Sequence, residues 1–216
     1  GLVKLSCPSV IMRYQIRSLL NEFLKTYPKV QVEMEITSRR VDVLHDEIDL
    51  AIRTNFEANE DSSIVVRGVI KTTHCLVASP ELLQGRSIHY PTEINDFPTI
   101  VLGTQKNHYQ WHLHRIDSHE QMDIPLEPRI KSNDLAGVYY SALDGLGIAD
   151  LPLLTVEADL KAGRLIHLLP DWCSNMGTVQ LVYASRKGQR LVMEKLIEHL
   201  VEGLRARAEG HQGYTI

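Results

Sequence analysis

The spacing of hydrophobic and polar residues changes from one period to another within the first 55 positions. Short runs at residues 3–7, 31–36 and 49–53 have the length and composition of strands. Between the first two runs, apolar residues recur every three or four positions from residue 11 to residue 27, which predicts an amphipathic helix. A shorter helix is predicted for residues 41–47. Strands that alternate with helices in this way predict a parallel sheet covered by helices.

The second of these runs alternates strictly between two kinds of residue. Val32, Met34 and Ile36 fall on one side of the predicted strand, and Glu33 and Glu35 fall on the other. Such alternation is typical of a strand with one wet face. We therefore expect this strand to lie near an edge of the sheet.

The remainder of the chain continues the same pattern of strands and helices. Further strands are predicted at residues 74–79, 99–102, 148–150, 164–169 and 178–185, an extended segment at 124–131, and helices at 135–144, after Pro152 and at 189–208. The polar stretch 105–122 shows no clear period. The last helix has an apolar face that needs a sheet to cover it, and this face consists of Leu196, Ile197, Leu200, Val201 and Leu204.

Composition limits the class of protein. With 216 residues, 44% hydrophobic and 23% charged, the chain has an ordinary soluble balance and can form one large lobe or two modest ones. A net charge of −4 without a long basic run predicts poor nucleic-acid binding by these residues. No apolar run is long enough for a membrane span. Three widely spaced cysteines, Cys7, Cys75 and Cys173, predict reduced thiols in a cytoplasmic protein.

Polar residues follow each of the first three strands. They are Pro8 and Ser9 after the first strand, Thr37 and Ser38 after the second, and Arg53 and Thr54 at the end of the third. Ligands of open parallel sheets bind beyond the carboxyl ends of the strands, so these residues form a candidate binding site. Small hydroxyl groups and the N–H groups of a helix start suit a small carboxylate or another polar organic ligand.

Each of these residues also has a structural explanation. Ser9 could cap the helix that follows it, and Thr37, Ser38 and Thr54 could be ordinary turn residues. Arg53 could form an ion pair with an acid such as Asp49. The sequence leaves these alternatives open.

An ordered set of short motifs resembles the effector-binding domain of LysR-type transcriptional regulators. The matching segments are GLVKLSCP at residues 1–8, FLKTYPKV at 23–30, VD at 41–42 with DLAIR at 49–53, LVASP at 76–80, SND at 132–134, GLGIA at 145–149 with LP at 151–152, and GRL at 163–165 with LP at 169–170. No single segment is specific. Their order, which covers nearly the whole chain, is what carries the resemblance.

The resemblance implies an α/β fold like that of type II periplasmic binding proteins. Each of two lobes would be a mixed, mostly parallel sheet flanked by helices. Lobe one would comprise residues 1–71 and 178–216, and lobe two would comprise residues 72–177. A small-molecule effector would bind in the cleft between the lobes, at the strand ends.

The same resemblance implies which further residues would contact the effector. Lobe two would contribute Gly103, Thr104 and Asn133, although Asn133 could simply cap a helix. In some family members an arginine after the third strand binds the ligand. The sequence leaves open whether Arg53 or Thr54 faces the cleft.

Partners are also implied by the resemblance. Family members carry an N-terminal winged helix-turn-helix that is not among these residues, so we expect the chain to be part of a longer regulator that binds DNA through that domain. Such domains form homodimers or homotetramers, in which helix 11–27 of one copy would face helix 135–144 of another. An effector that favours one lobe angle would change the spacing of the DNA-binding domains.

Other chemistry has weak support in the sequence. The histidines at positions 108, 112, 114 and 119 have no cysteine or acid at zinc-site spacing, so we expect no metal. We find no nucleophile motif, phosphate loop or dinucleotide fingerprint, and we expect neither a cofactor nor catalysis. The main alternative is a periplasmic solute-binding protein of a transporter, which shares the fold. An enzyme of small acids on a related two-lobed fold is a third possibility.

Overall fold

The computed structural model describes residues 1–54, 63–103, 108–174, 177–185, 191–209 and 214–215. The chain divides into two compact units. Unit 1 comprises Gly1–Thr72 with Gly177–Ile216, and unit 2 comprises Thr73–Met176. Each unit has its own sheets and apolar core. Within the described ranges, no helix combines the length and the apolar character that crossing a membrane requires.

Strands and helices are numbered in chain order. The strands are β1 (Leu2–Cys7), β2 (Gln31–Ile36), β3 (Leu50–Thr54), β4 (Ile64–Thr72), β5 (His74–Ala78), β6 (Thr99–Leu102), β7 (Tyr109–Arg115), β8 (Gln121–Leu126), β9 (Ile130–Ser132), β10 (Ile148–Pro152), β11 (Ile166–Leu168), β12 (Trp172–Cys173), β13 (Gly177–Ala184) and β14 (Tyr214–Thr215). The helices are α1 (Ser9–Ile11), which continues through a π-helical segment (Met12–Ile16) into α2 (Arg17–Thr26), then α3 (Pro80–Leu83), α4 (Leu135–Leu143), α5 (Leu153–Lys161) and α6 (Leu191–Glu209). A 3₁₀ helix lies at Pro91–Asp96.

Unit 1 is built on a six-stranded sheet in the order β14-β4-β13-β3-β1-β2. β1 is parallel to both β2 and β3, as the sequence predicts, whereas β13 is antiparallel to β3 and β4. The predicted apolar face of α6 is buried in one cluster with side chains of α2 and the sheet. Residues 189 and 190, predicted to begin this helix, lie outside the described residues.

Two helix predictions in unit 1 are wrong. The N-cap of the first helix is Pro8 rather than Ser9, because Ser9 is already the first residue of the helix. The Pro8 carbonyl accepts the Met12 N–H at 2.9 Å. The short helix predicted at residues 41–47 is a turn. There the Asp42 carboxylate accepts the Leu44 N–H at 2.9 Å. Such local side-chain bonds compete with helix formation.

The prediction that residues 31–36 form an edge strand is confirmed. β2 is the last strand of the unit 1 sheet and pairs only with β1 in the described residues. Its apolar side remains largely open, since Met34 and Ile36 are each 48% exposed. The alternation therefore predicted the position of the strand but not the burial of its apolar side.

Unit 2 contains a five-stranded sheet, in the order β11-β5-β10-β6-β9, and a separate three-stranded sheet, in the order β12-β7-β8. β6 is parallel to β9 and β10, and β5 is antiparallel to β10 and β11. β7 and the start of β8 occupy the polar stretch that shows no clear period. Tyr109, Trp111 and Leu113 of β7 enter the core, while Gln110 and His112 lie on the other face.

We expect Gly147→Ala to destabilise unit 2. A Cβ at this position would lie 2.8 Å from the Pro98 carbonyl oxygen and 2.9 Å from Ile100 Cγ1. Because backbone would have to move, the free energy of unfolding should fall by about 1–3 kcal/mol. Gly68→Ala is the control, since its added Cβ would meet only Thr178 Cγ2, at 3.5 Å. In urea unfolding, the midpoint concentration should be lower for Gly147→Ala than for the wild type and unchanged for Gly68→Ala. Equal midpoints for the two variants would contradict this close packing.

Candidate functional site

The carboxyl ends of β1, β2 and β3 meet at one edge of the unit 1 sheet, because β1 is parallel to both neighbours. Ser6 of β1 lies opposite Ala51 of β3, and Arg53 is two residues further along on the same face. The Arg53 guanidinium donates hydrogen bonds to Ser6 Oγ at 2.6 Å and to the Ile52 carbonyl oxygen at 2.6 Å. The sheet register thus brings a cation to this edge.

The positive charge of Arg53 is buried without a carboxylate partner in the described residues. Arg53 is 6% exposed, and its Nε has no hydrogen-bond partner. The nearby Glu35 carboxylate is 3.0 Å from Arg39 instead. Burial lowers the pKa of Arg53, because desolvation disfavours the charged form. A buried cation bonded only to neutral acceptors favours the arrival of an anion.

Two alternatives that the sequence left open concern Arg53. Its side chain is buried, whereas Thr54 is exposed at the end of β3, and which of them faces the effector stays a prediction. The described hydrogen bonds of Arg53 do not go to Asp49. The Asp49 carboxylate instead accepts the Lys4 N–H at 2.9 Å. The described hydrogen bonds of Arg53 therefore do not balance its positive charge.

Other predicted residues of unit 1 follow β1 and β2. Pro8 and Ser9 begin the first helix directly after β1, and both are half-buried. Thr37 follows β2, and its Oγ1 accepts the Arg39 N–H at 3.2 Å, which is the turn role considered for it. Ser38 is exposed in the same loop. The parallel pairing brings these residues to the edge where Arg53 lies.

The predicted residues of unit 2 follow β6 and β9. Gly103 has a φ of +112°, which favours glycine, and its N–H donates to the Ser132 carbonyl oxygen at 2.6 Å. Asn133 is exposed and is not the helix cap, because Asp134 is the N-cap of α4. The Ser132 hydroxyl makes the local bonds to the Asp134 backbone. Thr104 lies outside the described residues.

Three further polar residues at these edges were not predicted to bind a ligand. Ser6 was treated as part of a strand, although a serine in an apolar run was an available signal. His74 at the start of β5 and Asp150 in β10 line a cavity of about 410 Å³ in unit 2. Since β5 and β10 are antiparallel and β10 is parallel to β6, both residues lie toward the edge where β6 ends. No motif marks either position.

His112 of β7 has local partners. His112 and His114 lie on one face of the strand. His112 Nδ1 is 2.5 Å from Asp123 Oδ1, and its Nε2 is 3.1 Å from the Gln110 amide nitrogen. In the part of the chain that the structure describes, no group of three His, Cys, Asp or Glu side chains could hold a metal ion. Trp111 is 9% exposed and packs in the unit 2 core.

Comparison with known proteins decides the family. A family model described as the LysR substrate binding domain matches residues 1–205. The chain belongs to this family. Its sequence relatives include PtxR of Pseudomonas aeruginosa, 27% identical over 205 residues that cover 94% of this chain and 64% of PtxR. Another is YhjC of Escherichia coli, 30% identical over 193 residues that cover 87% of this chain and 62% of YhjC.

Solved structures of LysR-type regulators show the fold. CrgA of Neisseria meningitidis superimposes with a TM-score of 0.81 and 21% identity, over 94% of this chain and 68% of that structure. The effector domain of AmpR of Pseudomonas aeruginosa gives 0.77 and 15%, over 97% of this chain and 98% of that structure. The predicted α/β fold of the type II periplasmic-binding-protein kind is confirmed.

Membership in the LysR family sets the class of function. The named relatives are transcriptional regulators and activators, which are not enzymes. This outcome favours the regulator over the transport protein and the enzyme considered from the sequence. The chain spans less than two thirds of the length of PtxR and YhjC.

We expect Cys7 and Cys75 to resist alkylation in the folded protein and Cys173 to react first. Burial raises the pKa of Cys7 and of Cys75 to about 12. The reactive thiolate is therefore scarce at neutral pH and increases as pH approaches that value. Burial raises the pKa of Cys173 too, but this thiol is only partly buried.

Timed labelling with iodoacetamide, followed by peptide mass spectrometry, measures the order in which the three thiols react. In Cys173→Ser, labelling of the folded protein should nearly disappear and should return in denaturant. Labelling of Cys7 ahead of Cys173 would contradict the burial of the β1 end.

Proposed function

We propose that this LysR-family domain senses a small organic anion, which binds at the carboxyl ends of β1, β2 and β3. LysR-type regulators bind small-molecule effectors. The observation that carries the anionic preference is the buried guanidinium of Arg53, whose hydrogen bonds go to neutral oxygens. A carboxylate supplies the missing counter-charge and can accept the N–H of Arg53 Nε, which has no partner in the described residues.

The surrounding polar groups complete the proposed contacts. Ser9, Thr37, Ser38 and Thr54 supply hydroxyl groups in unit 1, and Pro8 precedes the helix whose N–H groups point outward at its start. In unit 2, Gly103, Thr104 and Asn133 would also contact the effector, as the family resemblance implies. One effector that contacts both units remains part of this proposal, by the family resemblance.

The proposal also covers how effector binding would be transmitted to the rest of the regulator. The effector would favour one arrangement of the domain, and a homodimer or homotetramer would transmit it to an N-terminal winged helix-turn-helix. DNA binding would belong to that domain, which agrees with the net charge of −4 on these residues. Such a regulator would act in the cytoplasm.

Arg53→Met should abolish effector binding and leave the protein folded. A panel of small mono- and dicarboxylates with their matching neutral amides is screened by thermal shift, and the best carboxylate is measured by calorimetry. A ligand at about 100 times its Kd stabilises the wild type by about 2.7 kcal/mol. Because charge-assisted hydrogen bonds contribute about 1.5–3 kcal/mol, Arg53→Met should weaken binding at least about 10-fold.

Arg86→Met is the matched control, since it makes the same change at an exposed arginine of unit 2. Affinity should change by no more than about 3-fold, which is within about 0.7 kcal/mol. The proposal fails if Arg53→Met binds the carboxylate as tightly as the wild type, or if the neutral amide binds equally well.

Self-association has its own test in α4. Tyr140 on this helix is 50% exposed, and α4 is the helix that the family resemblance places in the dimer contact. Tyr140→Glu should weaken self-association by about 30-fold, the effect of losing an aromatic anchor worth about 2 kcal/mol. Leu191→Glu, at another exposed apolar side chain, is the control. Sedimentation velocity that shows equal association for both variants would remove α4 from the interface.

A further inference from the structure

A cavity in unit 2 holds a carboxylate whose hydrogen-bonding capacity is unused. The cavity measures about 410 Å³, within the range of small-molecule pockets. β6 and Trp111 supply its apolar wall, and His74, His108, Gln110 and Asp150 are among its polar lining residues. None of the lining residues that the structure describes is a lysine or an arginine.

Asp150 has no close donor in this cavity. Its Oδ1 is shielded from solvent and has no hydrogen-bond partner among the described residues. Its Oδ2 lies 3.5 Å from His74 Nδ1, which is beyond a normal N–H···O distance. A carboxylate can accept about four hydrogen bonds, so most of its capacity remains open. The side chains of Asp150 and His74 are only 18% and 19% exposed, so water reaches them poorly.

The side chains of His112 and Gln110, which also line the cavity, do not supply the missing hydrogen bonds to Asp150. Both ring nitrogens of His112 are engaged, one by Asp123 and one by the Gln110 amide. Leaving a largely buried acceptor without a donor is unfavourable. The site therefore favours a ligand that brings donors of its own.

We propose that Asp150 binds a hydrogen-bond-donating group of the effector, an ammonium or a hydroxyl group, and that His74 flanks the same group. The inference rests on the proposed function, because it takes the ligand that occupies the cavity to be the effector. Such a group distinguishes hydroxy acids and amino acids from simple carboxylic acids. The two classes share the donor chemistry, and the experiment separates them.

Two matched series test the assignment by thermal shift and calorimetry. They are propionate, lactate and alanine, and succinate, malate and aspartate. In at least one series the wild type should bind the hydroxy or amino acid at least about 10-fold more tightly than the parent acid, as a hydrogen bond to a charged group allows. In Asp150→Asn this preference should fall below about 3-fold. Asp171→Asn, an exposed position with the same change of charge, should retain it.

Stability without ligand distinguishes binding from a structural role. Asp150→Asn, which removes the poorly solvated charge, and Asp150→Leu, which also removes the unpaired acceptor, should each raise the Tm by about 2–4 °C. A carboxylate that held β5 to β10 would give a lower Tm in both variants, and that result overturns the proposal. Binding of substituted acids no tighter than their parents, or an unchanged preference in Asp150→Asn, also overturns it.

The outcome at Arg53 separates this inference from the proposed function. If parent acids bind and Arg53→Met abolishes that binding while no donor preference exists, the anion site stands and the Asp150 assignment falls. If the donor preference depends on Asp150 but Arg53→Met binds normally, the Asp150 assignment stands and the anion site falls.

Discussion

The parallel pairing of β1 with β2 and β3 is the constraint on which the rest of unit 1 depends. It brings three strand ends to one edge, and its register places Ser6 where it can accept a hydrogen bond from Arg53. Neutral oxygens orient the guanidinium, but they do not balance its charge. The side chain is buried at the end of β3, so folding leaves a cation at a strand edge that, in the proposed function, an anionic ligand would neutralise.

Much of the fold could be predicted from local patterns. The strand at Thr99–Leu102, the alternation of β2 and the apolar face of α6 each follow a clear period. Prediction failed where side chains bond the local backbone, as at Asp42 in the turn that replaces a predicted helix. It also failed in β7, although polar side chains at every second position are the alternation typical of a half-buried strand.

The candidate site was less predictable than the fold. The position of Arg53 after the third strand marked it as a candidate, but its burial depends on a register between strands that lie far apart in sequence. The isolation of Asp150 depends on the order β5-β10-β6, which no local pattern encodes. Family resemblance pointed to the strand ends but could not identify which side chains there lack partners.

Units 1 and 2 each contain an incompletely satisfied charged group near a strand edge, and the two charges are opposite. Among the described residues, Arg53 has no carboxylate partner, and Asp150 Oδ1 has no hydrogen-bond donor. An unpaired buried charge lowers the stability of the folded domain. Binding sites commonly retain such unfavourable groups, because a ligand that pairs with them relieves the cost. Under the two proposals, these groups would give the domain a chemical preference that membership in the LysR family alone does not define.

The most direct measurement of the central claim is NMR of the arginine side chains during a titration. With ¹⁵N-labelled protein and the carboxylate that stabilises it most, the Arg53 Nε–Hε signal should shift to saturation together with binding, because Nε gains an acceptor. The signal of the exposed Arg86 should stay in place. Saturation of the protein with ligand while the Arg53 signal remains unchanged would contradict the account.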